Sequence, residues 1–154
     1  MTVDVGDTAP DFDLPGDGGT RISLKALRGK PVVLYFYPKD DTTGCTKEAC
    51  GFRDALPDFS AADAEIVGVS RDSVARHDKF KAKYDLPFRL VSDEDGTLCE
   101  AYGVWVEKSM YGRKYMGIER STFLIDGAGT IRAAWRKVKI TGHVEAVRDA
   151  LRVL

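Results

Sequence analysis

The run Pro31-Val-Val-Leu-Tyr-Phe-Tyr37 is continuously apolar, β-branched or aromatic, with a proline in first place, and predicts a central strand buried on both faces. Pro38 ends it. A polar loop from Lys39 to Gly44 leads into Glu48-Ala-Cys-Gly-Phe-Arg-Asp-Ala-Leu56, where Ala49, Phe52 and Leu56 recur at helical spacing, and Pro57 is expected to break or kink that helix. Ile66 to Ser70 reads as a second buried strand, followed by a helix from about Ser73 to Tyr84 with Val74, Phe80 and Tyr84 on its inner side. Pro87 to Val91 predicts a third strand. Ser121 to Ile125 and Thr130 to Trp135, joined by the Gly-rich Asp126-Gly-Ala-Gly129, predict a hairpin. From Thr141 as N-cap, Val144, Val147, Leu151 and Leu154 line one stripe of a closing amphipathic helix. This order implies an α/β fold, a mixed central sheet with helices on both faces.

A length of 154 residues suits one domain, residues 1–154, and 44% hydrophobic with 31% charged residues is a globular balance. No window holds about 18 consecutive apolar residues, and the N-terminal stretch lacks the basic flank and apolar core of a secretion signal, so no membrane segment and a cytoplasmic location are expected. A net charge of −1 offers nothing to draw nucleic acid or anionic lipid. The densest basic stretch, Arg132 to Lys139, reads as the solvated face of a strand. Three cysteines without a signal peptide do not form a stabilising disulfide framework, so their reason is expected to be chemical.

Cys45 follows a buried strand and a short loop and falls in the opening turn of a helix, at the edge where α/β sheets bind ligands. Thr42 or Thr43 can cap that helix, and its unpaired first-turn N–H groups with the positive end of the helix dipole favour a thiolate. The competing reading is an inert space-filling cysteine, which the neighbouring glycine and polar loop disfavour. Cys50 lies five residues on. In an intact helix such residues stand about 8–9 Å apart at Cα and face different ways, whereas a disulfide needs about 4.4–6.8 Å. The sulfurs therefore meet only if the first turns unwind, a step that Gly51 and Pro57 ease. Otherwise Cys50 is a small core residue beside Phe52.

The stretch Phe36-Tyr-Pro-Lys-Asp-Asp-Thr-Thr-Gly-Cys-Thr-Lys-Glu-Ala-Cys-Gly-Phe-Arg-Asp54 resembles the active-site segment of peroxiredoxins of the bacterioferritin comigratory protein type, also called peroxiredoxin Q. Gly6-Asp-Thr-Ala-Pro-Asp-Phe-Asp-Leu14, Ser92-Asp-Glu-Asp95, Tyr102-Gly-Val-Trp105 and Arg120-Ser-Thr-Phe-Leu-Ile-Asp126 match further landmarks of that family in order. The resemblance implies a thioredoxin-like fold and a thiol peroxidase with Pro38, Thr42, Cys45 and Arg120 as its catalytic set. Cys45 thiolate attacks one peroxide oxygen and the other leaves, so negative charge passes across both oxygens. Arg120 supplies fixed donors for that charge, Thr42 hydrogen-bonds sulfur and peroxide together, and Pro38 shields the sulfur without a competing N–H. Glu48 matches a position that orients the arginine. Cys50 matches a resolving cysteine, which implies a Cys45–Cys50 disulfide reduced by an external dithiol such as thioredoxin. The resemblance implies a hydroperoxide substrate, no cofactor and no metal, and a monomer suffices, with a weak dimer compatible. Thr43 stands where the family usually has proline, which predicts a looser loop.

A thioredoxin-type oxidoreductase shares the fold but needs Cys-x-x-Cys, whereas this chain has Cys-x-x-x-x-Cys. A zinc-binding or redox-sensing module built on Cys45, Cys50 and Cys99 is the rival from another class. Gly16-Asp-Gly-Gly19 lacks the spacing of a dinucleotide site. Cys99 is expected to pack on a short helix; His77 and His143 fit helical segments, neither at a metal-ligand spacing from a cysteine.

Overall fold

The structure, a computed structural model, describes residues 3–154. The chain opens with a short hairpin, β1 (Asp13–Pro15) and β2 (Arg21–Ser23), and then enters β3 (Val32–Phe36), α1 (Thr43–Asp54), α2 (Leu56–Ala61), β4 (Glu65–Ser70), α3 (Val74–Tyr84) and β5 (Arg89–Ser92). A one-turn α4 (Thr97–Ala101) leads to a second hairpin, β6 (Trp105–Met110) and β7 (Arg113–Ile118). The chain closes with β8 (Ser121–Ile125), β9 (Ile131–Trp135) and α5 (His143–Arg152). The five-stranded sheet runs in the order β5-β4-β3-β8-β9, with β3, β4 and β5 parallel and β8 and β9 antiparallel additions. This is the mixed sheet the pattern implied.

Every residue of β3 is buried because both sheet faces are covered, and its side chains alternate between two cores. Val33, Tyr35 and Tyr37 face Phe52, Phe59, Phe80, Val144, Val147 and Leu151 from α1, α2, α3 and α5. Val32, Leu34 and Phe36 face Phe12, Ile22, Leu98, Cys99 and Tyr102. Helices thus lie on both faces, but on the second α4 is short, and the N-terminal hairpin completes the cover. Each such side chain taken out of water contributes about 1.5–3 kcal/mol before the cost of ordering it.

Several boundaries differ from the expectation. The first helix stops at Ala55, and Pro57 enters the first turn of α2, where a missing N–H leaves no bond unmade. The cap of α5 is Gly142, in the left-handed region at φ 76°, rather than Thr141. Leu154 lies beyond that helix at 44% exposure, so the buried stripe ends at Leu151. The β6–β7 hairpin escaped the hydrophobic pattern because it stands off the main sheet and is mostly exposed. Its turn, Tyr111-Gly112, puts both central residues at positive φ, 52° and 77°, as a two-residue hairpin loop requires. In the basic stretch only Arg132 occupies an outward strand position. Arg136 folds back, donating from Nη2 to the Val3 and Tyr102 carbonyls at 2.9 and 3.2 Å, with its guanidinium 5.1 Å from the Phe123 ring centre.

Candidate active site

The antiparallel register of β3 and β8 pairs Phe36 with Ser121, so the end of one strand and the start of the other lie side by side. Pro38 and Arg120, just outside those ends, are thereby brought to one edge of the sheet, and the loop after Pro38 delivers Cys45 to the same place. Cys45 is the third residue of α1 and is 1% exposed. Arg120 Nη2 donates to its Sγ at 3.2 Å, while Nη1 donates to Glu48 Oε1 at 2.7 Å one turn further along the helix. Gly44 makes room for this, since a β-carbon there would stand 3.3 Å from Nη2 and 3.1 Å from Ile140 Cδ1.

Behind the arginine the side chains are closed off from solvent. Glu48 is fully buried, and burial pushes its carboxyl up to about 7 against the opposing pull of Arg120. Its Oε2 has no hydrogen-bond partner. His143 Nε2 lies 3.9 Å from that oxygen and 2.8 Å from Thr122 Oγ1, and burial, with Arg120 adding to it, brings the imidazole down to about 4. His143 is therefore neutral at pH 7. The Tyr35 hydroxyl, also buried and without a partner, completes the wall, its ionisation held far above the usual range first by burial and then by the charge of Glu48.

Thr42 occupies the N-cap position with extended backbone, yet its side chain makes no capping bond; Oγ1 donates to the Lys39 carbonyl at 2.9 Å. The expected side-chain cap is absent at Thr42, and so is a Thr42 hydrogen bond to sulfur, because the single hydroxyl proton is spent on the loop. The first-turn N–H groups beside Cys45 are left without a side-chain acceptor. Pro38 and Thr42 are both exposed at the mouth. Cys50 is half-buried on the same unbroken helix, and all three cysteines are free thiols. Cys99 is fully buried on α4, its thiol pushed far up by burial and then by Asp93. No group of three or more metal-ligating side chains occurs among the described residues.

Four contributors carried no local signal in the sequence. Lys108, half-buried on β6, feels both Arg120 and Cys45, burial and Arg120 lowering its pKa. His143, Thr122 and Tyr35 come from three separate elements and meet only through sheet and helix packing.

Residues 5–134 match the AhpC/TSA family. A putative peroxiredoxin bcp of Coxiella burnetii is 58% identical over 147 residues, covering 96% of this chain and 97% of the relative. Peroxiredoxin Bcp of Bacillus subtilis is 51% identical over 152 residues, covering 99% and 97%. The solved structure of Xanthomonas campestris peroxiredoxin Q superposes with a TM-score of 0.90 at 50% identity, over 98% of this chain and 96% of that one. The class is thus a thioredoxin-like oxidoreductase that reduces peroxides through a thiol. The chain belongs to the AhpC/TSA family, among the peroxiredoxins of the Bcp or peroxiredoxin Q type, and the resemblance to that family is borne out. No helix among the described residues is long and apolar enough to cross a membrane.

Proposed function

We propose that Cys45 is the peroxidatic nucleophile for hydrogen peroxide and organic hydroperoxides, and that Cys50 resolves it. The carrying observation is the bridging arginine: one guanidinium nitrogen lies 3.2 Å from Cys45 Sγ and the other is fixed by Glu48 at 2.7 Å. A cation so held is preorganised for charge that moves from sulfur onto oxygen. The thiolate attacks one peroxide oxygen, the O–O bond breaks, and the departing alkoxide or hydroxide takes a proton to leave as alcohol or water. Cys45 becomes a sulfenic acid. With its own proton on Lys39, the Thr42 hydroxyl acts by accepting from the peroxide O–H, and Pro38 walls the sulfur from water.

The Cys50 thiol then attacks the sulfenic sulfur, expelling water and forming the Cys45–Cys50 disulfide. Two Cα atoms about 8–9 Å apart in an intact helix cannot bridge, so this step requires α1 to unwind. An external dithiol, thioredoxin in this reading, takes the disulfide back to two thiols. No second subunit takes part, which fits a single-domain monomer working in the cytoplasm. Support for organic substrates comes from a Xanthomonas campestris relative, 49% identical, whose structures are described as giving insight into its alkyl peroxide reduction activity.

The test is peroxide consumption with a thioredoxin reducing system on wild type and Cys45→Ser. Serine offers no comparable anion near neutral pH, so turnover is expected to vanish; turnover near the wild-type rate would overturn the assignment.

A further inference from the structure

A second set of buried polar side chains lies directly beneath the loop that carries Pro38 and Thr42. Asp40, 8% exposed, accepts at Oδ1 from the Tyr37 hydroxyl at 2.5 Å and meets His77 Nδ1 at Oδ2 at 2.7 Å. Its N–H donates to Asp72 Oδ2 at 2.8 Å, an oxygen that also accepts from Ser70 Oγ at 2.6 Å. His77 is fully buried on α3, and its Nε2 stands 2.8 Å from the Val91 carbonyl. A carbonyl only accepts, so Nε2 carries a proton, and a second proton lies between Nδ1 and Asp40. The next loop residue, Asp41, turns at φ 59° and accepts from Lys83 Nζ and the Tyr84 hydroxyl, each at 2.8 Å. His77 and Tyr84 are seven residues apart, two helical turns, and so share one stripe of α3.

We propose that α3 is a clamp on the active-site loop, gripping Asp40 through His77 and Asp41 through Lys83 and Tyr84, and that His77 and Asp40 are positioning residues for Pro38 and Thr42 in the peroxide step. Only Lys39, Asp40 and Asp41 separate Pro38 from Thr42, and two of these three are tied to the same helix. The clamp supplies the rigidity that Thr43, in place of proline, leaves out of the loop. Misplacement of a reacting group by about 1 Å costs on the order of 10²-fold in rate, so a loop free to shift slows the chemistry without touching Cys45.

The clamp is proton-dependent. His77 is faced by Asp40 and Tyr37 from the end of β3 and its loop and by Asp72 from the turn after β4, which is itself paired to Arg76 of α3 at 3.2 Å. Burial opposes the charged imidazole, but the Asp40 hydrogen bond and charge outweigh it and hold the pKa above 6.5. As pH rises through that raised value, one of the two ring protons leaves and a ring lone pair then faces an acceptor oxygen, of Asp40 or of Val91, which loosens the grip on the loop.

This inference rests on Cys45 being the peroxidatic residue, and the experiment separates the two. The second-order rate constant for hydrogen peroxide is measured in single turnovers from pH 5.5 to 9 on wild type, His77→Leu, His77→Asn, His77→Gln and Lys83→Ala. His77→Leu is expected to slow the reaction about tenfold or more. His77→Asn, whose amide N–H replaces Nδ1 toward Asp40, is expected to recover most of the rate, whereas His77→Gln, which reaches Val91 instead, is not. Neither amide variant titrates, so both lose the alkaline fall attributed to His77. Lys83→Ala, changed at an exposed position that leaves the core intact, is expected to slow the step about twofold. Equal rates for the Asn and Gln variants, or a wild-type pH profile in all of them, would reduce His77 to packing and overturn the clamp. A wild type whose Cys45 does not react with peroxide would instead overturn the reading of the site.

Discussion

Cys45 and Cys99 are equally shut off from solvent, at 1% and 0% exposure, and each is the third residue of a helix. What differs is the occupant of the helix N-terminus. In α4 the Asp93 carboxylate takes that place, accepting from the Leu98 and Cys99 N–H groups at 3.1 and 2.9 Å, so an anion already sits where a thiolate would form. In α1 the Thr42 side chain turns away to Lys39, and a guanidinium approaches the sulfur instead. Burial alone silences a thiol. In the reading proposed for Cys45, an uncapped helix end with a cation beside it is what fits a buried thiol for chemistry, and the missing threonine cap then belongs to the site.

Removing the cation is the strongest way to break this contrast. Arg120→Met is expected to slow the peroxide step by a factor on the order of 10² to 10³, the usual effect of losing a preorganised donor, and to slow alkylation of Cys45 at pH 7. Unchanged values of both would make Arg120 a bystander. The next largest effect concerns α1 itself. Amides from Glu48 to Leu56 are expected to be protected from hydrogen exchange in the reduced protein and to exchange much faster after oxidation, while those of α4 stay as they were. Equal protection of Glu48 to Leu56 in both redox forms would exclude Cys50 as the partner.

A smaller effect separates the two titrating groups behind the arginine. Glu48, raised from 4.5 to about 7, binds more protons folded than unfolded between those values, so its contribution to stability falls as pH rises through them. His143, lowered from 6.5 to about 4, does the reverse, and its contribution rises over that span. The two slopes oppose one another from about pH 4.5 to 6.5. Glu48→Gln removes one of them, and the melting temperature of the variant is expected to climb more steeply with pH across that interval than that of wild type; an identical slope would mean that Glu48 is ionised throughout. Smallest of all, Cys99→Ser is expected to leave turnover and recycling unchanged within about twofold, because Asp93 already pins its surroundings. Loss of recycling would move the resolving role from Cys50 to Cys99.

The buried strands and the helical stripes were legible because they follow from periods of two and 3.6, which need no partner to be recognised. Cys45 was legible for a related reason, since strand, loop and helix start are all local. Arg120 was not: 75 residues separate it from Cys45, and only the Phe36–Ser121 register brings them together, so family resemblance alone supplied it. His77 reads in sequence as a histidine beside an apolar stripe, while its partners lie 37 and 14 residues away. The β6–β7 hairpin was missed because its strands bury little and a tyrosine occupies a turn position where asparagine would have announced it.

The seam between α1 and α5 is close-packed at Gly51, where a β-carbon would come within 3.0 Å of Val144 Cγ2. In the proposed cycle, unwinding α1 would break that seam, so its tightness would set how long a sulfenic acid on Cys45 waits before Cys50 arrives. That wait would be a race, because a second peroxide molecule could oxidise the same sulfur further and strand the enzyme. A looser seam, as in Val144→Ala, would trade pocket stability for survival in strong peroxide, and a tighter one would make the protein a fuse that burns out at a lower dose. The residue that fixes the tolerated dose would then lie on a helix that carries none of the cysteines.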